Sequence, residues 1–368
     1  MFKFLLILPL LFVLAFIGYK FVTIENKELV SVDFVNLVQE AIISSPSPPP
    51  IQLITPPEVK ILPNTYHIFQ SFNNCGPASL SMALSYFDIN VSQTILGQEL
   101  RPYQVAGGDN DDKSVTLSEM AKKGEEYGLL SYHRPNGNFD IIKKFIAYDI
   151  PILTRTWTKP AEDVGHFRLI KGYDQTSNEI IQDDSLQGKN LRYSVDDFDT
   201  LWKKFNYEYL VLVPKDKKEI AEAILEKNLD EEYAWKEAVK ISNAQLEQNP
   251  DDFYAGFNLS VAYFHLKDYR KSTKEFEKVE SRLPFRTLWY QIEPIKSYFE
   301  LGDYERVFQI TEKVLNYYNR AFSELYLLRG ESHLKLGEKE KARLEFEKAV
   351  LYNKNLKEAI DALAITKE

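Results

Sequence analysis

The sequence contains a single cysteine, Cys75, among its 368 residues. No intrachain disulfide can form, so packing must stabilise the fold and the one thiol is left for chemistry. The sequence also lacks a long run of lysine and arginine, and its formal net charge is −9. This balance argues against a nucleic-acid-binding protein, which would carry a basic patch or tail. No Gly-x4-Gly-Lys-Ser/Thr phosphate loop occurs, which argues against an ATP-driven transporter.

The N-terminal segment is apolar, with no charged residue from Phe4 until Lys20. That stretch is shorter than the roughly 20 residues of a membrane-spanning helix. If Lys20 snorkels to the interface, the apolar run extends to Ile24 and becomes long enough. No pair of small residues in the −3/−1 arrangement closes the segment, which favours an uncleaved signal anchor over a cleaved signal peptide. We expect residues 1–24 to form a single-pass transmembrane helix with the bulk of the chain extracytoplasmic.

A proline-rich stretch follows, in which seven of the 17 prolines lie between Pro46 and Pro63. Such composition is typical of an extended spacer. We therefore expect four parts in the chain: the anchor, a membrane-proximal segment and linker over residues 25–62, and two folded domains over residues 63–215 and 216–368.

Residues 63–215 have a mixed pattern, with helical spacing first and strand-length apolar runs later. Helical spacing follows Cys75 and recurs at 117–127 and 139–148. The expected strands are residues 150–157, 167–173, 180–181 and 209–213. Helices before antiparallel strands predict an α+β domain.

From residue 216 onward strand signals vanish and a repeat is present. Three similar tetrapeptides begin at Leu266, Leu301 and Leu336, an interval of 35 residues each time (301−266 and 336−301). A period near 34 is typical of tetratricopeptide repeats, which are helix–turn–helix units. Such arrays present a concave surface suited to binding a protein or peptide, so we expect a protein partner or substrate there. The alternative is a plain helical domain whose apolar stripes serve only its own core.

Cys75 is placed where a reactive thiol would be expected. The apolar residues after it have the spacing of one buried helix face, and Pro77 suits a first helical turn. The positive end of a helix dipole stabilises a thiolate, which is the nucleophilic form. Gln70 lies five residues upstream and offers an amide donor. The alternative is that Cys75 is a small buried hydrophobe, as lone cysteines often are.

A cysteine nucleophile needs a base and a group that orients the base. Of the five histidines, His166 follows a glycine at the head of an expected strand, from which it could reach a helix N-terminus. The next strand ends in Asp183 and Asp184, beside the start of the His166 strand if the two are antiparallel. Only one of these neighbours can face the histidine, because adjacent residues point to opposite faces.

These motifs in combination resemble the papain-like cysteine peptidases of the bacteriocin-processing type, which trim leader peptides after a double glycine. The motifs are Gln-x4-Cys-Gly-Pro-Ala-Ser-Leu from Gln70, Gly-His-Phe-x4-Gly-Tyr-Asp from Gly165, and an aspartate before a loop with Gly188.

The resemblance implies that Cys75 is the nucleophile and His166 the general base. It further implies that Asp184 orients the histidine and that Gln70 donates to the oxyanion with the Cys75 backbone N–H. The family has Asp-Pro at the third position, which favours Asp184 over Asp183. Ser185 stands in place of that proline and leaves the choice between the two aspartates open.

We therefore expect a membrane-anchored cysteine peptidase that needs no cofactor or metal. The stretch Gly107 to Lys113 resembles a calcium loop only faintly, since Lys113 stands where a ligand belongs and no bidentate glutamate follows. Two alternatives stay open: an amidase or acyltransferase acting on cell-wall or modified peptides, and an inactive peptide-binding scaffold. No nucleic acid is expected as a partner.

Overall fold

The computed structural model describes residues 51–63, 66–105, 115–316 and 319–367. The expected anchor at 1–24, most of the linker and the loop at 107–113 lie outside these residues. Within the described ranges, no helix has the length and apolar character needed to cross a membrane.

Residues 51–225 form a domain of one β-sheet with helices packed against it. In chain order the elements are β1 (Val59–Ile61), α1 (Cys75–Ser85), α2 (Gln93–Leu100), α3 (Leu117–Glu126), β2 (Leu130–Arg134), α4 (Phe139–Ala147), β3 (Ile152–Trp157), β4 (Gly165–Asp174), β5 (Glu179–Asp184), β6 (Gly188–Ser194), α5 (Val195–Trp202), β7 (Tyr209–Val213) and α6 (Lys218–Leu225). The expected α+β domain is confirmed, with helices in the first half and most strands in the second.

Among the described residues the sheet has seven strands, all paired antiparallel. Six of them follow the order β2-β7-β3-β4-β5-β6, and β1 pairs with β4. One edge of β4 is shared, because β3 pairs with its first half and β1 with its second half. A bulge between Ile170 and Gly172 interrupts the β4–β5 ladder. β4 is therefore the central strand on which the domain is built.

Both faces of the sheet are covered by helices. Along β7, Leu210 and Leu212 face the core formed with α1, α2 and α3, whereas Val211 and Val213 face the core formed with α4, α5 and α6. Alternate residues of a strand point to opposite faces, so a run of apolar residues is buried throughout. The Cys75 helix α1 lies on the first of these faces, where it contacts β4.

Two elements that pack with the sheet, β1 and α6, lie outside the range 63–215. β1 pairs with β4, so the sheet begins inside the segment 25–62 that we expected to be linker. At the other end α6 buries Ala221, Ile224 and Leu225 in the core of the sheet domain, although we expected the repeats to start at 216. A three-residue strand is too short to give a sequence signal, and one amphipathic helix looks the same in either domain.

Helix pairs make up the rest of the described chain. The elements are α7 (Glu231–Gln248), α8 (Phe253–His265), α9 (Tyr269–Val279), the single turn α10 (Thr287–Tyr290), α11 (Glu293–Glu300), α12 (Tyr304–Asn316), α13 (Ser323–Lys335), α14 (Lys339–Tyr352) and α15 (Lys357–Lys367). The three tetrapeptides form the turns between α8 and α9, α11 and α12, and α13 and α14. The predicted helix–turn–helix repeats are confirmed, and α15 packs against α14 after the last pair.

Gly330 allows close packing inside the last repeat. A Cβ atom placed there would lie 2.4 Å from Cε1 of the Phe346 ring, so α13 and α14 can approach only because this side chain is absent. Phe346 is fully buried at this contact.

We predict that Gly330→Ala destabilises the protein by about 1–3 kcal/mol, because the added methyl overpacks the contact with Phe346. The sign is informative, since glycine-to-alanine changes inside a helix normally stabilise by roughly 0.5–1 kcal/mol. Urea unfolding measures the effect, and Lys335→Ala in the same helix, at an exposed position, is the control. A neutral or stabilising Gly330→Ala would contradict the packing described.

Candidate active site

Cys75 is the first residue of α1 and is 6% exposed. Asn74 precedes the helix but its side chain does not cap it, and its Nδ2 donates instead to Ser71 Oγ at 2.8 Å. The first-turn N–H groups and the positive end of the helix dipole therefore lie at the thiol. The predicted position of Cys75 at a helix N-terminus is confirmed, and this environment favours the thiolate.

His166 reaches this helix end from the second residue of β4. Its Nε2 lies 2.8 Å from Asp184 Oδ1, and the imidazole also hydrogen-bonds the Cys75 side chain. Since Nε2 is engaged by the carboxylate, Nδ1 is the nitrogen that remains for Sγ. Burial alone would lower the pKa of His166, but the hydrogen bonds and charges of Asp184 and Cys75 outweigh it and raise the pKa to about 9. The arrangement thus favours an imidazolium beside a thiolate.

Asp184 is fully buried at the end of β5, and its carboxylate is satisfied on all sides. Oδ1 accepts from His166 and from the backbone N–H groups of Leu186 and Gln187, at 2.7 and 2.9 Å. Oδ2 accepts from Arg168 Nη1 at 2.7 Å. Burial would raise the pKa of Asp184, but His166, Arg168 and the backbone donors hold it below its ordinary value. The carboxylate therefore stays ionised next to the imidazole.

Asp183 faces the other side of the sheet. Its carboxylate pairs with Lys171 Nζ at 2.8 Å and accepts from the Asn190 backbone N–H at 2.8 Å. Successive residues in a strand point in opposite directions, so only one of the two aspartates can face His166. The structure brings Asp184 to the histidine and leaves Asp183 in a separate ion pair.

Arg168 belongs to the site, although sequence reasoning did not identify it. Its side chain is fully buried, and besides Asp184 it bonds Thr156 Oγ1 from Nε at 2.9 Å and the Thr158 carbonyl from Nη2 at 2.8 Å. Arginine is rarely buried without a partner. Arg168 lies two residues after His166, and therefore on the same face of β4. That spacing was the available signal.

Gln70 contacts Ser185, the residue that follows Asp184. The Gln70 backbone N–H donates to the Ser185 carbonyl at 2.8 Å, and Ser185 Oγ donates to Gln70 Oε1 at 2.9 Å. His67 is close by, with Nε2 at 2.9 Å from the Asp184 carbonyl oxygen. Ser185 holds the Gln70 amide by its Oε1 atom. The Nε2 donor of the same amide is therefore directed away from Ser185. Ser185, the departure from the family's proline, is therefore the residue that holds this amide.

The other histidines are engaged elsewhere. His133 Nε2 lies 2.7 Å from Glu208 Oε2, and His333 Nδ1 lies 2.6 Å from Glu338 Oε2. The His265 ring stacks on the Trp235 ring. In the part of the chain that the structure describes, no group of three or more His, Cys, Asp or Glu side chains is arranged to hold a metal ion.

Cysteine, histidine and aspartate in this order, at a helix N-terminus and on two antiparallel strands, are the arrangement of a papain-like cysteine peptidase. Residues 57–210 match the model of the Peptidase_C39-like family. The match includes Gln70, Cys75, His166 and Asp184, and it covers less than half of the chain. The suspected resemblance to this family is thereby confirmed for the sheet domain, whereas no curated protein matches the chain.

Solved structures of peptidases and of a repeat protein are each similar to part of the chain. A C39-like peptidase from Bacillus anthracis is 18% identical with a TM-score of 0.35, covering 43% of this chain and 99% of its own. The peptidase domain of Streptococcus ComA, a bifunctional ABC transporter involved in quorum sensing, is 18% identical with a TM-score of 0.32, covering 42% and 98%. A tetratricopeptide-repeat protein from Thermus thermophilus is 21% identical with a TM-score of 0.30, covering 36% and 73%.

We predict that Asp184→Asn lowers the pKa of His166 from its wild-type value of about 9, because the hydrogen bond and charge of the carboxylate are lost and only Cys75 still opposes the effect of burial. In the wild type, the raised pKa means that protonated His166 stabilises the fold. This stabilisation by the histidine is fully present below about pH 6.5 and is lost as the pH rises through about 9. An NMR titration of the His166 ring measures the change.

Asp183→Asn is the matched control for this titration, because its carboxylate pairs with Lys171 on the opposite face. It should leave the His166 pKa where it is. Equal shifts in the two variants would show that Asp184 has no special role at the imidazole.

Proposed function

We propose that this protein is a cysteine peptidase that hydrolyses peptide bonds with Cys75, His166, Asp184 and Gln70. One observation supports this most strongly: a buried imidazole contacts a cysteine thiol at a helix N-terminus on one side and a buried carboxylate on the other. A histidine that served only to fill the core would not need an ionised partner on each side. The family match of residues 57–210 supports the same reaction class.

The first half of the reaction forms an acyl-enzyme. The Cys75 thiolate attacks the scissile carbonyl carbon, and the carbonyl oxygen takes the negative charge. Gln70 Nε2 and the Cys75 backbone N–H donate to that oxygen. The His166 imidazolium gives its proton to the departing amine as the C–N bond breaks, which leaves a Cys75 thioester and a neutral imidazole.

The second half releases the acid product. Neutral His166 accepts a proton from a water molecule, and the hydroxide equivalent attacks the thioester carbonyl. The same two donors hold the oxyanion until the C–S bond breaks. The thiolate and the imidazolium are then restored, so the site returns to its starting state with no cofactor.

The setting of the enzyme is a further part of this proposal. The apolar segment at 1–24 would anchor the chain in a membrane, with the peptidase outside the cytoplasm. The repeats would bind a protein partner or bring a peptide substrate, as helical repeat surfaces commonly do.

We predict that iodoacetamide alkylates Cys75 rapidly well below pH 8.5, the ordinary thiol pKa, because the imidazolium and the helix dipole favour the thiolate. The rapid alkylation at low pH is the acid limb of the pH profile. His166→Ala should remove this limb, so that the alkylation rate rises only near the ordinary thiol pKa. The rate of alkylation from pH 4 to 10 measures both. Cys75→Ala is the control for labelling at other sites, and a wild-type profile like that of His166→Ala would rule out the proposed pair.

We also predict that Gln70→Ala lowers kcat for peptide cleavage by about 10²–10³-fold, the usual cost of losing one oxyanion donor. Ser185→Ala should act in the same direction but less, since Gln70 keeps its amide and loses only the hydroxyl that orients it. Both variants should weaken binding of a peptide aldehyde, whose adduct with Cys75 carries the oxyanion. Alkylation of Cys75 in both should keep the wild-type pH profile, because that reaction needs no oxyanion site. Loss of the alkylation limb would instead assign Gln70 to structure.

A further inference from the structure

The loop over residues 158–164 leads directly into His166 and is held by the repeat region. Asp163 in this loop forms an ion pair with Arg286, which lies between α9 and α10, with Oδ1 2.7 Å from Nη1. Asp163 Oδ2 also accepts from the Arg286 backbone N–H at 3.1 Å. The last residues before the catalytic histidine are therefore fixed by a side chain more than a hundred residues away in sequence.

Tyr290 makes the second contact, on the residue adjacent to His166. A Cβ atom placed on Gly165 would lie 2.9 to 3.1 Å from three atoms of the Tyr290 ring, so the ring packs on the bare backbone of Gly165. Tyr290 is 7% exposed, and its carbonyl oxygen accepts from Arg155 Nη1 on β3 at 3.1 Å. The glycine before His166 is thus required by the repeat region, which needs room for an aromatic ring.

The repeat region also holds the other strand of the same hairpin, at the same end. Trp157 closes β3 opposite Gly165, and its indole Nε1 donates to Tyr254 Oη on α8 at 3.1 Å. The Trp157 ring meets the Tyr290 ring edge-on at 5.5 Å between centroids. Trp157 and Phe205 belong to the apolar core that the repeats themselves form. Both strand ends at the His166 loop are therefore buried by repeat residues.

We propose that the helical repeats position His166, so that the repeat region is a working part of the peptidase site as well as a surface for partners. This inference rests on the proposed peptidase function. Tyr290 and Arg286 are positioning residues, since they act through Gly165 and Asp163 and not on a substrate. A partner that moved the segment carrying these two residues would change the rate of peptide cleavage without contacting the substrate.

The physical argument concerns the end of a β-hairpin. The Trp157–Gly165 pair is the last pair of the β3–β4 ladder, and His166 pairs with Thr156 immediately behind it. Ladder ends open more easily than ladder centres. A displacement of about 1 Å in a catalytic group can cost a hundredfold in rate. Contacts that keep this ladder end closed therefore act on catalysis through geometry.

The first test is a charge swap in the Asp163–Arg286 pair, which is partly exposed, so that its variants should fold. Asp163→Arg and Arg286→Asp should each lower kcat/KM about tenfold or more and move the alkylation limb of Cys75 upward, toward pH 8.5. The double swap should restore most of both properties, because opposite charges again face each other and only the bond from the backbone N–H of residue 286 to the Asp163 carboxylate is missing. Arg343→Gln, which breaks an ion pair with Glu347 within α14, is the control and should leave both unchanged.

The second test concerns Tyr290. Tyr290→Phe keeps the ring on Gly165 and loses only the hydrogen bond between the Tyr290 hydroxyl and the Gly165 backbone, so it should shift the limb less than Tyr290→Ala. Tyr290→Ala removes the ring as well and should shift the limb as the single swaps do. Thermal unfolding is recorded for each variant, because a merely structural role lowers Tm without moving the pH limb. The inference is overturned if Asp163→Arg, Arg286→Asp and Tyr290→Ala all fold and each keeps the wild-type kcat/KM and the wild-type alkylation limb.

The proposed function and this inference can fail separately. If wild-type Cys75 has no limb below pH 8.5, both are overturned. If the wild type has the limb and cleaves peptides but the repeat variants do not alter either property, the peptidase proposal stands and only the positioning role is lost.

Discussion

The buried carboxylate of Asp184 is the constraint on which the site depends. An ion taken out of water costs several kcal/mol unless its partners replace the lost hydration. His166, Arg168 and the backbone N–H groups of Leu186 and Gln187 supply that replacement. Each donor is fixed by the pairing of Arg168 with Asp184 in the β4–β5 ladder. A slip of one residue would present Asp183 instead and turn every side chain of the strand to the wrong face.

Charge balance inside this site explains why so many ions can be buried together. With Cys75 as thiolate and His166 as imidazolium, the two charges cancel, and Asp184 cancels against Arg168. If the proton returns to Sγ, the net charge of the four groups is still zero. Proton transfer between Cys75 and His166 therefore moves charge over a short distance without adding any to the interior, where an uncompensated charge would be most costly.

Much of the site could be predicted from sequence because its members carry local signals. Cys75 opens a helix with clear periodicity, and His166 opens a strand of alternating residues, so each was located correctly. The choice between Asp183 and Asp184 required the strand register, which the sequence leaves open by one residue. Arg168 was missed because a charged residue in a strand normally indicates a solvent-facing position, and only the tertiary structure shows that this one is covered.

Elements without an apolar period escaped prediction for a related reason. β1 is three residues long and β6 is mostly exposed, so neither carries the alternation that indicates a strand. The contacts of Arg286 and Tyr290 with the β3–β4 loop were equally invisible, because the partners are distant in sequence and the connecting segment has no repeat consensus. The local pattern of apolar residues identifies helices and strands. It does not show which distant helices and strands contact each other, because that depends on the three-dimensional fold.

The connection that carries Arg286 and Tyr290 also bears on how such a chain could have been assembled. Repeat arrays are usually treated as modules that recombination can exchange whole. Here an exchange would bring in a new segment between two helix pairs and leave Gly165 facing an empty space and Asp163 without its cation. An exchange would therefore also have to supply residues matched to Gly165 and Asp163, because each side of this boundary is shaped by the other.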